Sequence, residues 1–307
     1  VSTAMGSEKT FRMFVRSSGK VEDFEYSFNA SYFDTEGPAF DLEKVGGPDY
    51  AGVTTEKQFE NQEKYFNFSG NFKGFYANAS FTEGKRELIF LLPAFSHGHL
   101  ANNNVTRLYF GYQKQLSDKL RFDGKLGYFE NSVFFEWDFF FFIFFGVQKN
   151  LASGYEADLT FFFDPTPKLN ITVGLNYYNV SHAENSPFLP FFGLDARTRL
   201  AKGESRTIQS AFAQFNFKLS EKLKIVAGAR AEQMPAYAFN NIDNAGLPNE
   251  IRQEAIYDQS DAEFIPRVAL IYLPNEKHSL KLLYGKALNR PSFWQNNDLL
   301  EPNAPQL

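Results

Sequence analysis

Cysteine is absent from the 307-residue chain, so neither a disulfide framework nor a thiolate metal site is available to it. Long hydrophobic runs are also missing. A membrane helix needs about 20 consecutive apolar residues, whereas the longest apolar stretch, Phe139 to Val147, has nine and follows Glu136 and Asp138. Charge of one sign is scarce: the net charge is only −5, and no Lys/Arg cluster of the kind that follows phosphates occurs, which removes nucleic acid from the expected partners. Glycine-rich phosphate loops of the GxxxxGK type and EF-hand spacings are absent. With four histidines and no Ser/His/Asn or Asp/His assembly, the chain reads as non-enzymatic and without a cofactor. Val1 to Thr10 lack the charged start and apolar core of a signal peptide, so an exported protein of this sequence would be a mature form or a fragment.

Aromatics, by contrast, are abundant. They make up 18% of residues, with 37 Phe and 15 Tyr, while charged residues still contribute 22% and the mean hydropathy is negative. Six turn-like segments punctuate the chain: Ser17-Ser18-Gly19-Lys20, Lys73-Gly74, Ser117-Asp118-Lys119, Asp164-Pro165-Thr166-Pro167, Ser220-Glu221-Lys222 and Pro274-Asn275-Glu276-Lys277. Their centres are 55, 45, 48, 55 and 54 residues apart. Two strands, a tight turn and a long loop fill such a period, which predicts an all-β, antiparallel, up-and-down transmembrane β-barrel.

Alternation around the turns separates two faces. One carries Phe66, Phe68, Phe72, Phe75 and Phe81 at the second turn, then Leu108, Phe110, Leu126, Leu159, Phe161, Val173, Leu175, Phe215, Ile225, Leu270 and Leu282 at later ones, with no charged member. The other carries Arg121, Asp123, Lys125, Glu156, Asp158, Asn176, Gln214, Lys218, Lys224, Arg230, Arg267 and Lys281. A Lys or Arg at the lipid midplane of a barrel costs about 2–4 kcal/mol, so the charged face is expected to line the lumen. Phe14 breaks the pattern at the first turn. The competing architecture is a large soluble antiparallel sheet with one wet face; strands of about nine residues and Tyr112, Tyr128, Tyr155, Tyr177, Tyr272 and Tyr284 near strand ends favour the barrel, where such rings form interfacial girdles. The connections opposite the turns are long, approximately 34–64, 83–104, 130–154, 179–206 and 231–263, and long loops of outer-membrane barrels face outward.

Six turns imply at least 12 strands. Both chain ends look ragged, which suggests the barrel portion, residues 1–307, of something larger. The last hundred residues carry a resemblance. Ser210-Ala211-Phe212-Ala213-Gln214, Leu219-Ser220-Glu221-Lys222-Leu223 and Ala227-Gly228-Ala229-Arg230, followed by Phe264-Ile265-Pro266-Arg267, Leu282-Leu283-Tyr284-Gly285-Lys286-Ala287, Asn289-Arg290-Pro291-Ser292-Phe293 and Leu300-Glu301-Pro302, resemble the barrel of a TonB-dependent outer-membrane transporter. The likeness is strongest from about Ile208 onward and weaker from Tyr65 to Tyr128. It implies a bacterial outer-membrane location, a 22-stranded barrel, a plug domain not present in this chain, and energy supplied by the TonB complex through that plug.

Candidate ligand contacts are Trp137, Trp294, Asn296, Asn297 and Asp298, which join aromatic surface to polar groups near strand tops. Arg230 and Arg267 read first as structural lumen residues paired with carboxylates of the wall or plug. His97 and His99 have a metal-pair spacing without a third ligand; His182 falls in a loop and His278 in a turn. The Phe-rich segment from Val133 to Phe145 reads either as rim aromatics or as a ligand-gripping loop. The resemblance implies gated import of a scarce large solute such as a metal chelate, a cobalamin-like molecule or an oligosaccharide. A passive porin-like or hydrophobic-solute channel and an adhesion barrel are the alternatives, and a surface lipoprotein or other external ligand would meet the outward loops.

Overall fold

The computed structural model describes residues 1–41, 43–46, 48, 51–52, 54, 59–88, 99–139, 144–189, 194–244, 247–258 and 260–288. Its strands are β1 (Ser2–Met5), β2 (Phe11–Val21), β3 (Phe24–Thr35), β4 (Asn61–Phe72), β5 (Phe75–Leu88), β6 (His99–Ser117), β7 (Leu120–Phe139), β8 (Phe144–Thr166), β9 (Leu169–Leu189), β10 (Leu194–Leu200), β11 (Arg206–Ser220), β12 (Leu223–Gln233), β13 (Tyr237–Asp243), β14 (Ile251–Tyr257), β15 (Glu263–Asn275) and β16 (His278–Gly285). One helical turn, α1 (Glu43–Gly46), lies in the β3–β4 connection. All sixteen strands join one antiparallel sheet in the path β1 to β9, then β11, β12, β15 and β16. Among the described residues no pairing joins β16 back to β1, so the described sheet is open.

Register explains why one face is apolar. Ala30 meets Phe66, which meets Phe81. Ala79 meets Leu108, which meets Tyr128 and then Tyr155. Leu159 meets Leu175, Ala211 and Ala231 in turn, and Ile225 meets Leu270 and Leu282. A one-residue slip at any of these pairs would carry a whole strand's aromatics to the opposite face, so the alternation itself pins the pairing. Leu126, Leu175 and Leu282 on this face are 65%, 55% and 72% exposed, an arrangement suited to a hydrocarbon solvent and unsuited to water.

Every connection on the turn side is two residues long: Glu22-Asp23, Lys73-Gly74, Asp118-Lys119, Pro167-Lys168, Glu221-Lys222 and Glu276-Lys277. Lys73 (φ 49°) and Gly74 (φ 89°) both take the left-handed region, as a tight hairpin turn matched to strand twist requires. The first turn corrects the sequence reading. Ser17 to Lys20 lie inside β2, and the chain reverses at Glu22 and Asp23, with Lys20 paired to Glu25 across the hairpin at 2.8 Å. Small polar residues in a strand resemble turn residues, and here Gly19 is small because the Tyr26 ring covers it.

The long connections are also corrected. β7, β8 and β9 run 20, 23 and 21 residues, about twice the 9–11 needed to cross a bilayer, so much of 130–154 and 179–206 is strand continuing beyond the membrane. The up-and-down order breaks there. β10 pairs with the tip of β9 and with β13, and β13 pairs with β14, forming a branch off the main path. This branch, with the wall beneath it, supplies the buried cluster of Val180, Ala183, Leu200, Met234, Tyr237, Phe239 and Tyr257.

Candidate functional site

The polar face is crossed by aromatic rings laid over glycines. Tyr76 of β5 faces Gly111 of β6, and a Cβ there would overlap its ring. The ring reaches past the glycine, and Tyr76 Oη donates to Asp123 Oδ1 of β7 at 2.7 Å. Tyr109 lies over Gly127 in the same way, within 2.7 Å of where a Cβ would stand, and Phe212 covers Gly174 at 2.6 Å. Phe129, opposite Gly154, stacks on Tyr178 of β9 with centroids 4.9 Å apart and planes 4° from parallel. These glycines keep the wall smooth enough for rings to lie flat and tie strands two apart.

Around the rings runs a charged network. Lys125 Nζ contacts Asp158 at 2.9 Å and Glu156 at 3.3 Å and lies 4.7 Å from the Tyr109 ring centre. Asn176 Nδ2 donates to Asp158 Oδ1 at 2.6 Å. Asn176 Oδ1 accepts from Ser210 Oγ at 3.3 Å and from Arg230 Nη1 at 3.4 Å. Arg230 also binds Glu232 at 3.0 Å. Arg267 Nη2 donates to Gln214 Oε1 at 2.5 Å. Arg230 therefore has a wall carboxylate, whereas the partner of Arg267 is an amide.

Above this network the wall changes character. Phe129, Ala152, Tyr178 and Ile208 pack beneath the buried cluster that includes Tyr237, Phe239 and Tyr257. Their register puts them on the polar face, so the β13–β14 hairpin folds over the inner side of the wall rather than away from it. The extra residue Ser181, unpaired between Val180 and His182, bends β9 where this begins. Arg107 and Arg206 lie within electrostatic reach of Tyr178. On the other flank, a cavity of about 590 Å³ is lined by Arg12, Phe14, Phe33, Glu63, Tyr65 and Thr82, with the Arg12 guanidinium 5.1 Å from the Phe33 ring centre and Glu63 paired with Arg86 at 3.1 Å. Phe14 thus sits on the inner face as part of an aromatic hollow of mixed charge, which accounts for its break in the alternation.

Of the sequence candidates, Trp137 belongs to β7, with its backbone paired to Gly146. Trp294, Asn296, Asn297 and Asp298 lie outside the described residues, as does His97. His99 opens β6 rather than a loop. His182 is in β9 opposite Ser153, a correction to its loop placement, and His278 faces Asn275 Oδ1 at 2.8 Å in the last turn. The Phe-rich segment is strand through Phe139 and again from Phe144; 140–143 lie outside the described residues. Sequence reasoning missed Tyr76, Tyr109, Phe129, Tyr178 and Phe212. Their signal is a glycine on the polar face of the neighbouring strand, which needs the register to be read.

Solved structures share this architecture. The ferric yersiniabactin uptake receptor FyuA from Yersinia pestis superposes with a TM-score of 0.65 at 9% identity, over 88% of this chain and 43% of that one. The ferric preacinetobactin receptor BauA from Acinetobacter baumannii gives 0.59 at 13%, over 91% and 45%, and the copper transporter OprC gives 0.62 at 10%, over 95% and 45%. At these identities the likeness is one of fold, and the chain spans less than half the length of each. These neighbours are receptors and transporters, not enzymes. No curated protein matches the sequence. The family described as TonB dependent receptor-like, beta-barrel, matches residues 23–306, and with that span the chain belongs to the TonB-dependent receptor β-barrel family.

Proposed function

We propose that this chain is wall and outer vestibule of a bacterial outer-membrane importer for a metal chelate, gated by ligand and energised by TonB through a plug domain. The observation that carries the reading is the aromatic and cationic lining of the upper polar face, the Phe129–Tyr178 stack near Arg107 and Arg206, beside the aromatic hollow of Phe14, Phe33 and Tyr65 in which Arg12 stands over Phe33. Planar rings and guanidinium groups together suit a solute with π faces and negative charge. The fold neighbours support the same solute class, since FyuA and BauA are receptors for ferric chelates and OprC transports copper. Trp137, Trp294, Asn296, Asn297 and Asp298 remain the proposed outer contacts, and Arg230 and Arg267 the proposed structural residues of the lumen.

Uptake of labelled ferric chelates by cells expressing the protein tests this. Accumulation that stops when the inner-membrane proton gradient is collapsed supports energised import. Steady ion conductance of the purified protein in planar bilayers, with uptake insensitive to the gradient, would establish the passive channel instead.

A further inference from the structure

Small residues on the apolar face are elsewhere filled in by a ring or a leucine of the next strand: Ala79 lies between Phe68 and Leu108, and Ala77 faces Phe110. Between β11 and β12, alanine meets alanine instead. Ala211 pairs with Ala231 and Ala213 with Ala229, and Phe215 opposite Ala227 closes the row on the turn side. Taller side chains flank this floor, Val173, Leu175 and Tyr177 of β9 on one side and Phe264 and Pro266 of β15 on the other. The result is a groove on the outside of the wall. Its upper part is a cavity of about 520 Å³ lined by Leu159, Leu175, Tyr177, Ala211 and Ala231. Asn176, Ser210 and Glu232 also border it, with their side chains tied into the network of the polar face. Two amides, Gln209 and Gln233, form its upper end and face each other in register. Gln233 Nε2 donates to the Ser260 carbonyl oxygen at 3.1 Å, whereas the Gln209 side chain has no hydrogen-bond partner among the described residues.

We infer that this groove holds one acyl chain of an outer-leaflet membrane lipid, whose ester or amide carbonyl accepts from the Gln209 side chain. Continuity with the lipid-facing surface selects the occupant, and the dimensions narrow it. From Gln209 to Ala213 the floor runs four residues, about 13 Å along the strands. Half of a hydrocarbon core of about 30 Å is a similar length, so the groove suits a chain from one leaflet. Its two floor strands are about 5 Å apart, room for an alkyl chain and too little for a helix about 10 Å across. The polar end lies in the row of Tyr177, on the side of the long connections. Interfacial tyrosines mark the depth at which lipid linkages lie, and an amide without a partner beside the hydrocarbon is costly. The site depends on which face meets lipid and is independent of the solute the barrel carries.

Native mass spectrometry of the purified, detergent-solubilised protein titrated with dimyristoyl phosphatidylethanolamine tests this. A single tightly retained lipid is expected. The double variant Ala211→Leu/Ala229→Leu fills the groove with apolar side chains suited to the same face, and is expected to weaken that binding at least about tenfold. Ala77→Leu, on the same face outside the groove, should leave it unchanged. A diether phosphatidylethanolamine lacks the carbonyls and is expected to bind the unaltered protein more weakly than the diester; Gln209→Leu should remove that difference. Heat modifiability on SDS gels reports the folding of each variant, and the diether comparison tests the site without any substitution. Lipid retained undiminished by the folded double variant would overturn the inference, as would equal binding of diester and diether. A dimer in place of the lipid adduct would overturn it too, since a second copy would then cover the groove.

Discussion

Phe129 and Tyr178 stack across the intervening strand β8, their planes within 4° of parallel, directly over Gly154. Two strands that share no backbone hydrogen bond are joined there by π contact, and a Cβ at Gly154 would overlap the Asn179 carbonyl oxygen and stand 3.0 Å from Phe129 Cζ. Gly154→Val is therefore expected to destabilise by about 1–3 kcal/mol through overpacking. Loss of the heat-modifiable fast band on SDS gels at lower temperature measures it. Unchanged heat modifiability would mean the wall tolerates the side chain and the stack is incidental.

The Tyr76–Asp123 bond gives a second test across Gly111. A hydrogen bond to a charged acceptor contributes about 1.5–3 kcal/mol, so Tyr76→Phe and Asp123→Asn should each destabilise, and the double variant should fall short of the sum. Urea unfolding in detergent micelles reads the coupling; additive losses would show that the two side chains act separately.

Neighbouring positions of opposite face should respond oppositely to charge. Leu159→Arg places a cation on the apolar face, at a cost of about 2–4 kcal/mol near the midplane. Thr172→Arg enters the polar face and is expected to be tolerated. Folding yield into lipid vesicles compares them. Equal yields would remove the assignment of faces.

The branch sheet above the wall should be separable from the barrel. Met234 is fully buried in the same cluster as Tyr237, and Met234→Ala is expected to cost about 2–5 kcal/mol locally. Hydrogen exchange should then quicken in β13 and β14 while β7 to β9 stay protected. Uniform loss of protection would mean that the hairpin is part of the barrel's cooperative unit.

Much of this is legible in the amino-acid sequence itself. Strict alternation from Phe66 to Phe81 and from Leu108 to Tyr128 is a local property, since side chains point to opposite faces with period two and a bilayer penalises charge on one of them. Five of the six turns were also legible, because Lys73-Gly74 and the Asp118, Pro167, Glu221 and Glu276 dipeptides interrupt that alternation. Ser17 to Lys20 misled, since Gly19 is small to admit the Tyr26 ring and not to turn the chain.

Sequence alone thus determined the class and the faces, which follow from period and local pattern, and the family, which the resemblance of the last hundred residues carried. Tertiary structure decided which residues meet across strands: Tyr76 with Asp123, and Phe129 with Tyr178. It also decided that β13 and β14 fold over the inner wall and that Phe14 lines a hollow with Arg12 and Phe33. These are contacts between residues separated by up to about a hundred positions. Their pairing depends on register summed over several strands and one bulge, and no local pattern encodes that sum.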